Sequence, residues 1–240
     1  MNCLILAAGY ATRLYPLTEN FPKPLLKVGG KTILDWLLDD IRSSCPPERI
    51  AVISNHKFAQ IFRDWAAPGI EVVDDGTSTN ETRLGAVRDI AFAVDTLGLK
   101  GDCLILAGDN LLDFSLGPFV GYAKEKGTSC IMRYFEAEEA KLRKCGVVEV
   151  DDEGLILSME EKPQAPRSHW CCPPFYFYKE EDIRLIPEAI AAGCGTDAPG
   201  AYAAWLSSRR PVHAMIMPGS RYDIGNLDSY RKISESFKGF

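Results

Sequence analysis

Long apolar runs are missing from this 240-residue chain. The first, residues 2 to 8, is too short to span a bilayer or to form the core of a secretory leader, and no basic segment precedes it. The expectation is a cytoplasmic protein without a membrane partner. A basic excess is missing too: 27 Lys and Arg stand against 33 Asp and Glu, a formal charge of -6. A nucleic-acid backbone would want a positive field, so no nucleic acid is expected as a partner, while a local basic pocket stays compatible with the total. Histidine is scarce. His56, His169 and His213 are scattered, which suits surface or core positions better than a metal centre or a catalytic base. The eight cysteines lack a repeated CxxC spacing, and the adjacent Cys171 and Cys172 cannot bridge without strain. Free buried thiols are therefore expected in place of disulfides or a zinc site. Linker composition, low-complexity tracts and internal repeats are absent as well, which favours one α/β domain with a lobe.

What is present is an alternation. Apolar runs bounded by turn residues at Asn2 to Leu6, Ile50 to Ser54, Ile70 to Val73, Cys103 to Ala107 and Ser129 to Arg133 predict buried strands. Between them, apolar residues at three- and four-residue spacing predict helices over 32–44, 57–66, 83–96 and 115–126. Strands alternating with helices imply a parallel sheet covered on both faces. Beyond residue 145 the pattern predicts a hairpin of Val147 to Val150 and Leu155 to Met159, and then a strand at Phe175 to Tyr178. A helix over 179–192, a short helix near 200–207, a strand near 212–217 and a closing helix over 227–237 follow.

The loop after the first strand carries the strongest chemistry. Ligands of parallel α/β sheets sit beyond the carboxyl ends of the strands, and Gly9 follows the first strand directly. A glycine lets backbone amides approach phosphate oxygens, although a tight turn alone would also use one. Arg13 and Lys23 add a planar fork of donors and a compact charge, the latter between Pro22 and Pro24. At about 4 Å and an effective dielectric near 20, each cation–phosphate contact is worth on the order of 4 kcal/mol before desolvation. Two such cations in a loop whose sole carboxylate is Glu19 point to a polyanion. The common nucleotide loops do not fit. "GGKT" at Gly29 to Thr32 has Leu25 where a phosphate-binding loop has its first glycine, and Gly9-Tyr10-Ala11 fails the dinucleotide fingerprint.

The stretch "LAAGYATRLYPLT", followed by "PKPLL", resembles the signature of the sugar-phosphate nucleotidyltransferases, or sugar-nucleotide pyrophosphorylases. The likeness continues in order through "RLGAVR" (83–88), "LAGDN" (106–110), "CGVVEVD" (145–151), "EEKP" (160–163), "YFY" (176–178) and "YDIGNLDSY" (222–230). It implies a single Rossmann-like three-layer domain over residues 1–240 with a central, mostly parallel sheet and a small β-rich sugar-binding lobe. Residues 1–135 would form the nucleotide-binding half, and 136–240 the sugar-phosphate-binding and closing half. The implied reaction joins a nucleoside triphosphate to a sugar 1-phosphate with release of pyrophosphate and needs Mg2+.

The resemblance also implies roles. Leu6, Ala8, Gly9, Ala11, Thr12 and Arg13 would cradle the nucleotide, and Arg13, Lys23 and Asp109 would carry the chemistry. Ala11 replaces the family's second glycine, a small intrusion of one methyl. Asp109 and Asp223 would hold the metal. On pattern alone each also fits a turn or capping residue. Asn80 would read the base edge, favouring UTP or dTTP with CTP still open, and Gly85 would let the base pack at a helix start. Lys23, Gly146, Glu161 and Lys162 would bind the sugar phosphate, with Pro173 and Pro174 replacing the small residues expected before the next strand. A homo-oligomer is implied only at the family level.

Two other functions compete with this one. A phosphocholine-type cytidylyltransferase would need an aromatic cage, for which His169, Trp170, Tyr134 and Tyr176 are the available rings. A catalytically silent nucleotide-sugar sensor would have lost Arg13, Lys23 or a metal aspartate, and all four positions are filled.

Overall fold

The computed structural model describes residues 1–237 and 239. In chain order the elements begin with β1 (Asn2–Leu6), β2 (Lys27–Val28), β3 (Lys31–Thr32), α1 (Ile33–Ser44), β4 (Arg49–Ser54), α2 (His56–Trp65), β5 (Ile70–Asp74) and α3 (Ala86–Leu97). They continue with β6 (Cys103–Ala107), β7 (Asn110–Leu112), α4 (Gly117–Lys126), β8 (Ser129–Phe135), α5 (Glu139–Leu142), β9 (Gly146–Val150), β10 (Ile156–Glu161), β11 (Trp170–Cys172) and β12 (Phe175–Tyr178). Last come α6 (Glu180–Ile183), α7 (Ile186–Ala191), α8 (Gly200–Ser207), β13 (Val212–Ile216), β14 (Arg221–Asp223) and α9 (Leu227–Ser236). No described helix is long and apolar enough to cross a membrane.

The chain folds into two compact units, each assembled from separated segments. The first comprises Cys3–Arg83, Ala107–Gly117 and Pro218–Phe240. Its strands β1, β4 and β5 are neighbours in that order, with β4 and β5 parallel from Ile50 opposite Ile70 to Ser54 opposite Asp74. Helix α1 shows why its sequence folds as it does. Thr32 and Asp35 cap it reciprocally, at 3.0 and 3.2 Å, and Ile33, Leu34, Leu37, Leu38 and Ile41 bury one face.

The second unit comprises Met1–Asn2, Leu84–Leu106 and Pro118–Met217. Its strand order is β10-β9-β11-β8-β12-β6, with β13 added parallel to β8 and the β9/β10 hairpin antiparallel. The molecule thus belongs to the expected α/β class, with a mixed sheet flanked by helices.

Two expectations are corrected here. The predicted helix over 179–192 is two short helices, α6 and α7. Pro187 has no N–H to give the carbonyl of Ile183, and its ring would collide with that carbonyl, so the first helix ends there. Cysteine chemistry differs as well: Cys145 is disulfide-bonded to Cys171, with Cα atoms 6.1 Å apart. Strand β11, too short to be read from the sequence, pairs with β9 and sets Cys171 opposite Val147, two residues along from Cys145. Cys3, Cys45, Cys103, Cys130, Cys172 and Cys194 stand outside the disulfide, the first five buried.

Candidate active site

In the first unit the loop after β1 is anchored from below. The buried Asn55 caps α2 through its Oδ1 and donates its Nδ2 to the Ala8 carbonyl at 2.9 Å. Tyr10 turns inward, where its hydroxyl donates to the Thr77 carbonyl at 3.0 Å. Leu6 ends β1 and accepts from the Gly108 amide at 2.9 Å. Gly9 is exposed, and a Cβ added to it would meet nothing within 4 Å. The space above it is open on the protein side. Thr12 and Arg13 lie exposed in a single 3-10 turn, and Arg13 has no ion-pair or hydrogen-bond partner among the described residues.

Ala11 proves to be more than a methyl intrusion. It sits at φ 46° and ψ 41°, the left-handed region, and its carbonyl is held there by the Thr18 hydroxyl at 2.8 Å and the Leu14 amide at 2.9 Å. A non-glycine residue in this conformation costs roughly 1–2 kcal/mol, so the loop keeps its shape by local hydrogen bonds despite the alanine.

Lys23, Asp109 and Asp223 come together in this same unit. Lys23 opens a 3-10 turn between Pro22 and Pro24, with only 8% of its side chain exposed. Its Nζ donates to Asp109 Oδ2 at 2.7 Å and to Asp223 Oδ1 at 3.3 Å. Asp109 follows β6 in a tight turn, where a Cβ on Gly108 would come within 2.9 Å of the Ile5 side chain. Asp223 arrives from far along the chain because β14 pairs antiparallel with β7, setting Asp223 opposite Asn110. Burial pulls the Asp109 carboxyl up, but the Lys23 ammonium and the Arg221 guanidinium outweigh it and hold the group below the ordinary aspartate value.

Asn80 and Gly85 belong to different units. Asn80 is half-buried in the first, and its side-chain amide has no partner among the described residues. Gly85 caps α3 in the second at φ 90° and ψ 152°. The place of its missing side chain is already taken, since a Cβ there would stand 2.5 Å from the Thr196 carbonyl oxygen. The first α3 amides are also engaged, Ala86 with Asp197 at 3.2 Å and Val87 with Thr196 at 3.0 Å.

The second unit also holds Gly146, Glu161 and Lys162. β9 and β10 set Glu161 opposite Gly146, and a Cβ on Gly146 would lie 2.9 Å from Glu161 Oε2. A Cβ on Gly200 would be closer still, at 2.1 Å, so the carboxylate occupies a slot that two glycines leave open. Burial raises the Glu161 carboxyl, the neighbouring Lys162 opposes it, and Asp197 adds to the rise. Lys162 is exposed at φ 52°, with Asp197 at 3.8 Å from its Nζ.

Sequence reasoning missed Asn55, Gly200 and Arg221. Asn55 reads as an ordinary helix cap, Gly200 lies in a helix, and Arg221 belongs to a strand of only three residues. Two of the four rings considered for an ammonium cage are already engaged. Tyr176 is 2% exposed and stacks on Tyr178 at 5.7 Å, and the Arg133 guanidinium lies 4.4 Å from the centre of the Trp170 ring.

The family model described as "Nucleotidyl transferase" matches residues 2–238. A UTP--glucose-1-phosphate uridylyltransferase from Synechocystis is 28% identical over 96% of this chain, and the chain spans only 61% of that relative. A glucose-1-phosphate thymidylyltransferase from Mycobacterium tuberculosis is 28% identical over 95% of this chain and 79% of its own length. Among solved structures, an apo UDP-glucose pyrophosphorylase superposes with a TM-score of 0.83 at 18% identity, covering 98% of this chain and 97% of that one. A UDP-glucose pyrophosphorylase complexed with UDP-glucose gives 0.83 at 19% identity, with coverage of 98% and 97%.

Proposed function

Because the chain belongs to the Nucleotidyl transferase family, we propose that it transfers a nucleoside monophosphate from a nucleoside triphosphate to a sugar 1-phosphate and releases pyrophosphate. UTP and dTTP are the favoured donors, in keeping with the uridylyl- and thymidylyltransferases it resembles. The observation that carries the reading is the meeting of Lys23 with Asp109 and Asp223 beside a glycine loop that offers an unpaired Arg13.

In this reading a phosphate oxygen of the sugar 1-phosphate attacks the α-phosphorus in line. The new P–O bond forms as the bond to the β-phosphate oxygen breaks, and the electron pair leaves with pyrophosphate. Both partners are anionic, so the protein's work is to position and neutralise. The open backbone at Gly9 admits the triphosphate, Arg13 balances charge on the α-phosphate and the leaving group, and Lys23 draws the attacking phosphate close. Asn80 presents an amide to the base, and Gly146, Glu161 and Lys162 bind the sugar phosphate.

The donor set suits Mg2+. Two carboxylate oxygens already face one cation, Lys23 Nζ, and Asp109 is held ionised. Mg2+ prefers this arrangement, with one or two carboxylates and the remaining ligands from phosphate and water. When bound by Asp109 and Asp223 it would supply further neutralisation of the phosphates.

Glu161→Gln separates function from stability. An acid whose folded pKa is raised takes up protons on folding, so its ionised form costs stability as pH rises through that pKa. The amide should therefore raise the urea midpoint at neutral pH, with the gain fading as pH falls to the ordinary carboxylate range. The same variant should raise KM for the sugar 1-phosphate and remove the acid limb of its pH profile, which in the parent lies above the range of an exposed glutamate.

The test of the function is a matrix of UTP, dTTP and CTP against sugar 1-phosphates and phosphocholine, read by pyrophosphate release with and without Mg2+. Release is expected with sugar 1-phosphates and a uracil or thymine donor, and only with the metal. Release with phosphocholine alone would select the cytidylyltransferase, and a flat matrix the silent sensor.

A further inference from the structure

Behind Asp109 stands a chain of polar groups that the reaction as described leaves unused. Asn110 is 2% exposed. Its Nδ2 donates to Asp109 Oδ1 at 2.8 Å, and its Oδ1 accepts from Arg221 Nη1 at 2.8 Å. The amide can stand only this way round, because an ionised carboxylate only accepts and a guanidinium only donates. Asp109 Oδ1 is thereby committed, while Oδ2 faces Lys23. The ribbon of β7 and β14 ties these groups to the second acid, since it sets Arg221 opposite Leu112 and Asp223 opposite Asn110.

We propose that Asn110 and Arg221 are positioning residues that fix the Asp109 carboxylate toward the point it shares with Asp223, and so set the affinity of the site for a divalent cation. The inference rests on the reading of Asp109 and Asp223 as metal-holding acids. Partners of this kind, acting through a ligand, are typically worth 10–100-fold in metal affinity or activity. A buried asparagine that merely satisfied its neighbours would affect folding and leave metal affinity alone.

The test is Mn2+ titration of the full chain, followed by electron paramagnetic resonance, alongside thermal unfolding. Asn110→Leu and Arg221→Met are each expected to weaken Mn2+ binding about tenfold or more. The double variant should be no weaker than the weaker single, because both act through one chain of hydrogen bonds. In turnover, excess metal should restore kcat, with KM for the sugar 1-phosphate unchanged. Unchanged Mn2+ binding in the folded variants, or losses that multiply in the double, would overturn the inference while leaving the function intact. Should Asn110→Leu fail to fold, Arg221→Met at its half-exposed position decides alone. A parent protein that binds no Mn2+ would sink the metal assignment and this inference together.

Discussion

Asp109→Asn should lower kcat by about 10²–10³-fold, the range seen when one electrostatic stabiliser is removed from a preorganised site. The substitution keeps shape and removes charge. Asp109 is the nearer of the two acids on Lys23, at 2.7 Å against 3.3 Å for Asp223, and the one held ionised by Lys23 and Arg221 against its own burial. Without it, Lys23 pairs with Asp223 alone and a metal would keep one carboxylate. In the proposed reaction Asp109 and Lys23 act on the reacting phosphates, so kcat and kcat/KM should fall together. The fold should persist, because the side chain keeps its size and retains an oxygen that can accept from Lys23. Steady-state kinetics at saturating substrates, with a urea midpoint close to that of the parent, check both halves. Activity within a few-fold of the parent would remove Asp109 from the chemistry.

Gly85→Ala should destabilise the protein by on the order of 3 kcal/mol or more. The backbone at φ 90° and ψ 152° belongs to glycine, and the added Cβ would meet the Thr196 carbonyl at 2.5 Å and the Asp197 Cα at 3.1 Å. Moving residues 196 and 197 away would not relieve the clash cheaply, because their carbonyls cap the first amides of α3. Gly9→Ala is the matched control. Nothing lies within 4 Å of its Cβ position, so stability should change by no more than about 0.5 kcal/mol, while turnover falls because the methyl group enters the space proposed for the triphosphate. Urea unfolding of the two variants, with kinetics for Gly9→Ala, distinguishes a glycine needed by the fold from one needed by the ligand. Equal stabilities would contradict the account of Gly85.

Strands with a continuous apolar run were legible at once. β1, β6 and β12 have the bounds read from the sequence, because burial on both faces leaves an uninterrupted signal. The two-residue strands β2 and β3 and the three-residue strands β7, β11 and β14 were not legible, since so few residues carry no period. Their absence from the reading mattered. β7 and β14 join Asp109 to Asp223, and β11 brings Cys171 to Cys145. The cations Arg13 and Lys23 could be argued from charge alone, whereas the acids needed the family resemblance, as isolated aspartates near turns have commoner uses. Asn55, Asn110 and Arg221 could not be found from sequence because only the hydrogen bonds they make in the fold mark them. Gly9 and Gly85 look alike in one dimension, and only the surroundings tell one from the other.

The central claim, that a nucleotidyl group passes to a sugar phosphate, is tested most directly by following the α-phosphate. With UTP or dTTP labelled at that position, Mg2+ and a sugar 1-phosphate, the label should appear in a nucleoside diphosphate sugar and pyrophosphate should be released unlabelled. Label recovered as free nucleoside monophosphate, or remaining in the triphosphate with every sugar 1-phosphate, would contradict it.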